Sequence, residues 1–475
     1  MAGSLTAGTK TIHVHGSQAG QTIGQGGTGK DMHIAALELQ RMSATNGLRL
    51  GSGTGGGVSA DGIELAHSNY LEPLVTLAAL SDNSLVTFAT TSSTFHTLAA
   101  QADNGVAVQV DVTATTGSLY LDGDYDNSSS EDDTNDVQFA DTVSVTAETV
   151  LTLESTTGTL VPAAKLTLTA GAGVVIHDDM TTTGTNKPLV IDADFESEGD
   201  GTLTVETGKT VTSNKSDVTI TAWDVDMAGS LTAGTLSIKV HGAQAAQTIG
   251  IGSSLSQNME ILDAELGRLT AEAGLTVGTP VGGEIQVKGV TDGSSDSVGT
   301  ITLVATRDAT AVAFLDAASV FGNGLIVQAM GGVFLSESVT TQNMPTVIYA
   351  GTGTLKTLAS RSLVSTNQLL TLTADDVDFQ GDAVSSGTAA TIITVLSTGN
   401  TIGVGGITST NMDFGASEVG AVSTSGGLTI GSAAVSGSIT VVGVLKANSN
   451  DITSTVTLLA TVDDSTITFA TTSST

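Results

Sequence analysis

Several residue types are missing or scarce in this sequence of 475 residues, and each shortage excludes a class of protein. There is no cysteine, which excludes a disulfide scaffold, a zinc–thiolate site and a thiol nucleophile. Aromatic residues make up only 3%, and no apolar run approaches the ~20 residues of a membrane helix. We therefore expect no membrane span. The formal net charge of −33 repels phosphate backbones, so we expect no nucleic-acid partner either.

The apolar residues that are present follow the alternation of β-strands. They make up 40% of the chain, which is too much for a disordered acidic protein. KLTLTAG from Lys165, DVTITAWDVD from Asp217 and GSITVVGV from Gly437 place Val, Ile or Leu on one face and mainly Thr or Ser on the other. Clusters of Gly, Asn, Asp and Ser between such runs predict turns.

The sequence also repeats itself. MAGSLTAGT occurs at Met1 and, word for word, at Met227. Further matches in the same order predict one unit at 1–226, a second at 227–378 and an incomplete third at 379–475. Because Met1 corresponds to an internal methionine, we expect the sequence to be a stretch of a longer chain.

The first unit is 226 residues long and the second 152, so repeated elements are missing from the second. A solenoid can lose coils without breaking its stack, because each coil contacts only its neighbours. The difference predicts the loss of three whole coils of roughly 25 residues.

One pair of matched segments is open to a helical interpretation. In 259–273, Leu262, Leu266 and Leu269 have helical spacing, but the matching segment 412–425 has Gly and Ser where a helix favours better helix formers. We therefore expect strands with turns in both.

Short strands at regular intervals fit either a β-sandwich array or a β-solenoid. One Trp and four Tyr are few for the cores of successive sandwich domains, whereas a solenoid fills its narrow core with Val, Ile, Leu and Ala. The sequence favours an all-β, right-handed parallel β-helix with acidic loop excursions and coils of about 20–30 residues.

LTAGTLSIKV from Leu231, AELGRLTAEAGLTVG from Ala264 and GSITVVG from Gly437 resemble the repeats of filamentous haemagglutinin-like proteins. The resemblance is one of repeat style and extends over nearly the whole chain. It implies a very large secreted surface protein built as a right-handed parallel β-helix. Other giant extracellular fibre proteins share this style.

The sharpest local feature is the acidic run DGDYDNSSSEDD. Asp122, Asp124, Asp126, Ser128 and Asp133 occupy positions one, three, five, seven and twelve of a calcium loop. Clustered carboxylates coexist at low cost when a cation neutralises them, so calcium is the expected cofactor. The alternative is a solvated acidic loop. The further candidate ligands are Glu131, Asp132 and Asp136.

Two N-glycosylation sequons begin at Asn127 and Asn214.

A pair of histidines favours a structural interpretation over a metal site. His13 and His15 could begin a metal site, but the second unit has Lys239 in place of the first of them, and an ammonium cannot replace a zinc ligand.

Carboxylate pairs invite comparison with β-helical polysaccharide-degrading enzymes. The pairs are Asp178–Asp179, Asp375–Asp376 and Asp463–Asp464. With only 15 Lys and Arg to hold an anionic sugar, we expect recurring turns rather than an active site, and no enzyme.

These observations predict a structural protein of an extracellular filament or cell-surface fibre, a stiff rod without catalysis. Its chains are expected to associate end to end or laterally, and polysaccharide or the cell surface are further candidate partners. The alternative is a large secreted adhesin whose β-helical stalk gives avidity through many weak sites.

Overall fold

The computed structural model describes residues 3–129, 134–406 and 410–470, and the regular secondary structure of these residues consists almost entirely of parallel β-strands. The chain divides into two compact units, Met1–Ile238 and Lys239–Thr475, called unit 1 and unit 2 below. The three repeat units predicted from the sequence stay a prediction.

Three sheets form the sides of unit 1. Sheet A has nine strands in the order Ile12–Val14, Leu48–Ser52, Val75–Ala79, Leu98–Ala102, Leu119–Asp122, Val150–Glu154, Gly173–Ile176, Thr202–Val205 and Asp224–Met227. Sheet B contains Met32–Ile34, Ile23–Gly26, Val58–Asp61, Val86–Phe88, Val106–Val108, Val137–Phe139, Leu160–Pro162, Met180–Thr181, Thr210–Thr212 and Ser230–Gly234. Sheet C contains Ser93–Phe95, Val112–Ala114, Val143–Ala147, Leu166–Ala170, Leu189–Asp192 and Val218–Ala222. Leu5–Gly8 pairs separately with Met42–Ala44.

Unit 2 is built in the same way. We use the name sheet D for eight neighbouring strands of a larger sheet, all of which lie in unit 2: Gly274–Gly278, Ile301–Ala305, Leu325–Ala329, Thr346–Tyr349, Leu370–Thr373, Thr391–Thr394, Leu428–Ser432 and Val456–Ala460. Sheet E contains Met259–Leu262, Ile249–Gly252, Ile285–Lys288, Val312–Phe314, Val333–Leu335, Thr354–Thr357 and Asp376–Phe379. Sheet F contains Ser319–Phe321, Val339–Thr341, Ser362–Ser365, Ala383–Gly387 and Val422–Thr424, and sheet G contains Met412–Gly415, Ile402–Gly405, Ile439–Val442 and Ile467–Phe469. The remaining strands are Ser237–Gly242 and Leu269–Ala271.

Within each unit the chain visits the sheets in turn and returns one strand further on. In unit 1, for example, it runs from Leu98–Ala102 through Val106–Val108 and Val112–Ala114 to Leu119–Asp122, where Leu119 pairs with Leu98 in parallel register. Three strands per coil and parallel pairing confirm the predicted parallel β-solenoid. Its handedness stays a prediction.

Coil length depends on what is inserted at the corners. Along sheet A the paired residues lie from 21 positions apart (Leu98 and Leu119) to 36 apart (Ile12 and Leu48). Most coils fall in the predicted range, and the longest carries an extra strand and a helical turn. Inward side chains stack in register, as in the buried column Leu50, Leu77, Ala100, Leu121, Leu153, Ile176 and Val205.

The prediction that whole coils are missing from the second repeat is wrong. Leu48 and Val225 both lie on sheet A and are seven coils apart, whereas their counterparts Leu275 and Val377 lie on sheets D and E, four and one-third coils apart. The difference is therefore two and two-thirds coils. Each side of a three-sided coil is a similar strand and turn, so a repeat can lose single sides and continue on the next sheet.

The segments 259–273 and 412–425 contain helical turns between their strands, which corrects the expectation of strands with turns. The helices are Ala36–Leu39, Leu65–Ser68, Asp263–Leu266, Asp292–Ser295 and Ala416–Ala421, with a 3₁₀ turn at Lys446–Asn448. The backbone N–H of Leu262 donates to Glu265 Oε2 (2.7 Å), which caps one turn. None of the helices in the described ranges is long and apolar enough to cross a membrane.

A recurrent joint precedes three of these helices. A strand ending in glycine (Ile23–Gly26, Ile249–Gly252 or Ile402–Gly405) pairs in parallel with a methionine-led strand about ten residues later. The same hydrogen bonds close each intervening loop. In two joints the backbone N–H and hydroxyl of Thr248 and Thr401 donate to the Asn258 and Asn411 side chains at 2.9–3.1 Å.

Candidate cation site at the acidic loop

The acidic loop begins at the end of a buried strand of sheet A. Strand Leu119–Asp122 turns Leu119 and Leu121 into the core and pairs with Val150–Glu154, so that Asp122 lies beside Glu154. The Tyr120 hydroxyl contacts both carboxylates, at 2.6 Å from Glu154 Oε2 and 3.2 Å from Asp122 Oδ2. Burial and the Glu154 hydrogen bond raise the pKa of Tyr120 well above its usual range.

Asp122 is almost wholly buried. Burial, with a smaller contribution from the charge of Glu154, raises the pKa of Asp122 to about 6, although the Asp124 N–H donated to its Oδ1 (3.1 Å) opposes the shift. A carboxyl group in this setting is uncharged in mildly acidic solution.

The next two aspartates accept hydrogen bonds from the backbone. Asp124 is only 1% exposed; its Oδ2 accepts from Thr157 N–H (2.6 Å) and its Oδ1 from Ser128 N–H (3.2 Å). Asp126 is exposed, and its Oδ1 accepts from the same Ser128 N–H (2.9 Å). Asn127 adopts the left-handed conformation at φ 56°, which asparagine tolerates better than most residues. These contacts shape the loop around Asp124.

Sequence reasoning missed Asn135, which is 3% exposed. Its Nδ2 donates to the Ser128 carbonyl (2.9 Å) and to Thr157 Oγ1 (2.7 Å), while its Oδ1 has no hydrogen-bond partner in the described part of the chain. Asp136 accepts from the Thr159 N–H and hydroxyl at 2.9 and 3.1 Å. Asn135 could have been predicted only from the pairing of one coil with the next, and no local sequence pattern indicates that pairing.

The described residues contain no group of three or more carboxylate or imidazole side chains placed to hold a metal ion. Asp124 and Asp126 share the Ser128 N–H, whereas Asp122 accepts from the Asp124 N–H and the Tyr120 hydroxyl, so these carboxylates are engaged with donors of the protein itself. Asp133, with Glu131 and Asp132, lies outside the described residues. Calcium binding at this loop therefore stays a prediction.

Acidic side chains elsewhere in the solenoid accept backbone N–H groups from adjoining coils. Examples, with acceptor first and N–H donor second, are Asp111 and Ser144 (2.7 Å), Asp136 and Thr159 (2.9 Å), Asp141 and Lys165 (3.2 Å), Asp179 and Thr210 (2.7 Å), and Asp375 and Ser397 (2.9 Å). We call these the corner aspartates. Each lies one or two residues before a strand, at the corner where the chain enters a sheet, and satisfies a backbone donor of an adjoining coil, which is a structural use of carboxylates.

The other sequence candidates are placed as follows. His13 pairs across sheet A with Arg49, and His15 Nδ1 lies 3.0 Å from the Gly16 carbonyl. Asp178 forms an ion pair with Lys209 and accepts from Ser155 N–H (2.6 Å). Asp376 begins a strand of sheet E rather than lying in a turn.

The two sequons differ in accessibility. Asn127 is exposed on the acidic loop. Asn214 donates from Nδ2 to the Thr183 carbonyl (3.0 Å), and its sequon partner Ser216 is fully buried. A glycan at Asn214 would have to be added before the chain folds, and both sites stay predictions.

Replacing Asp122 by asparagine is expected to stabilise the protein at neutral pH and much less at pH 4. Because the pKa in the fold is about 6 against 3.8 in the unfolded chain, the penalty for the charge is absent below pH 4, grows as the pH rises between these values and is complete above pH 6. Urea denaturation should show a gain reaching about 3 kcal/mol at pH 7.5. Asp126→Asn, which removes an exposed charge, is the control; a gain for Asp122→Asn that does not change with pH would contradict this interpretation.

The chain matches no protein-family model, no curated protein and no solved structure. The function is therefore inferred from the fold, its side-chain contacts and the charge of the sequence.

Proposed function

We propose that this chain is a structural, non-catalytic protein of an extracellular filament or cell-surface fibre. The observation that carries the proposal is the register of the parallel ladders inside each unit. In unit 2, Ile301, Leu325, Thr346, Leu370 and Thr391 follow one another as direct partners on sheet D. Every coil is thus joined to the next by main-chain hydrogen bonds on several sides.

The resistance of such a stack to pulling follows from its contacts. To pull two coils apart, several strand ladders and a column of buried aliphatic side chains must separate together. The corner aspartates add charge-assisted hydrogen bonds between coils just beyond the ends of strand ladders. This arrangement suits a protein whose task is to keep its shape.

The net charge of the chain affects how copies of it interact and which medium suits it. A net charge of −33 holds copies apart in dilute solution, and divalent cations could reduce that repulsion at acidic loops such as Asp122–Asp126. We propose an extracellular location. The chain has no cysteine and so does not depend on a reducing compartment, and its acidic loops suit a calcium-rich medium.

Electron microscopy of the native material, with and without a calcium chelator, tests the proposal. We expect long, uniform filaments in calcium. Fraying under chelator would support cation bridging by the acidic loops, and unchanged filaments would leave the structural role and reject the bridging. Compact separate particles in both conditions would contradict the filament and favour an adhesin.

A further inference from the structure

Charge is distributed unevenly over the faces of unit 2. The eight strands of sheet D contain no Asp, Glu, Lys, Arg or His, although the chain as a whole carries 48 acidic residues. The strands of sheet E, by contrast, include Glu260, Lys288, Lys356, Asp376 and Asp378. We call the outward side of sheet D the uncharged face.

The outward side chains of this face are apolar, hydroxyl-bearing or, at Gln328, an uncharged amide. One row in register consists of Thr302, Ile326, Val347, Thr371 and Ile392. A parallel row consists of Val304, Gln328, Tyr349 and Thr373. β-Branched aliphatic side chains that point outward on a strand leave apolar surface in water, which a second surface can cover.

The two rows border a shallow groove of about 330 Å³. Its walls are Thr306, Ile326, Gln328, Met330, Val347 and Tyr349. At the corner where strands enter sheet D, Met344 and Leu369 are each 38% exposed. The apolar surface therefore extends from the strands to one edge of the face.

We propose that the uncharged face of sheet D is the surface through which one copy of this chain associates side by side with a second copy. The inference rests on the proposed structural role and names the surface that lateral association would use. Two copies that each carry −33 charges repel one another over acidic surfaces, and they approach at lowest electrostatic cost where both present an uncharged face.

The area of the face sets the strength of the contact. Eight strands ~4.8 Å apart, each with about five residues ~3.3 Å long, make a face of roughly 600 Å² per copy. The pair buries about 1,200 Å², the lower end for a specific contact, so single copies should associate weakly. Sheet F also has uncharged strands, but it has only five of them in the described residues and is a smaller surface.

Sedimentation equilibrium of the full chain tests this surface. We expect a reversible monomer–dimer equilibrium that tightens when salt is raised from about 0.15 to 0.5 M, because salt screens the repulsion while leaving the apolar contact intact. Val347→Glu places a charge in the groove and should weaken association at least tenfold. Val364→Glu makes the same change at an outward position of sheet F and should leave association unchanged.

A second variant separates a lost contact from a damaged fold. Ile326→Thr introduces the residue type that Thr302 and Thr371 already have in the same row. It adds no charge and should weaken association by a smaller factor than Val347→Glu. Circular dichroism should show native strand content for all three variants.

Two results would overturn the inference: a wild-type monomer at every salt concentration, whether or not it binds a neutral polysaccharide through Val347, or equal weakening by Val347→Glu and Val364→Glu. Filaments that form without lateral pairing would reject this surface alone. Compact particles that still dimerise through Val347 would reject the filament and retain the surface.

Discussion

Replacing Gly252 by alanine is expected to lower the free energy of unfolding by about 3–5 kcal/mol. Gly252 ends the first strand of a recurrent joint at φ +100°, and a Cβ there would lie 2.2 Å from the Lys288 carbonyl oxygen. The glycines of the other two joints have the same restriction: a Cβ at Gly26 or Gly405 would lie 1.9 or 2.0 Å from a carbonyl oxygen. The backbone of the neighbouring coil would have to move in every case.

Gly293→Ala is the matched control, because a Cβ there meets nothing within 4 Å and the residue lies in the helix Asp292–Ser295. Alanine in a helix is expected to be neutral or to stabilise by about 0.5–1 kcal/mol. Urea denaturation of both variants measures the difference. Equal stabilities would mean that the joint does not require glycine.

Replacing Gln25 by isoleucine should raise the free energy of unfolding by about 2–3 kcal/mol. Gln25 is fully buried between Ile34 and Ala60, and neither its Oε1 nor its Nε2 has a hydrogen-bond partner among the described residues. A buried amide without partners loses its hydration and gains no hydrogen bond to replace it. The matching residues of the other joints are Ile251 and Val404, which shows that an aliphatic side chain suits the position.

The reciprocal change, Ile251→Gln, should destabilise by a similar amount, because it buries an amide where the chain now has an aliphatic side chain. Urea denaturation of the two variants measures both effects against the unmodified chain. A loss of stability for Gln25→Ile would show that the glutamine is hydrogen-bonded in solution and would contradict the prediction.

The strands were predictable because their signal is local. Runs such as LTLTA at 166–170 and VTITA at 218–222 alternate without interruption, and the structure makes each a strand. The solenoid followed from the repeats and the small core residues. The helical turns were missed because four residues, as at Asp263–Leu266, are too few to show a period.

The sequence predicted that carboxylates cluster in the acidic loop, but it did not predict which hydrogen-bond partners they have. Asp124 accepts from Thr157, a residue 33 positions away that is brought near by one turn of the solenoid. Asn135 and the corner aspartates depend on the same stacking. Local sequence patterns show where such carboxylates lie along the chain. Their hydrogen-bond partners depend on the length of each coil and on the register between coils.

X-ray diffraction from aligned native filaments tests the central claim, a stack of parallel coils in a structural fibre, most directly. We predict a strong reflection at ~4.8 Å along the filament axis, because strands run across the axis and coils repeat at the strand spacing. A pattern with the ~4.8 Å reflection perpendicular to the axis, or material that forms no filaments to align, would contradict it.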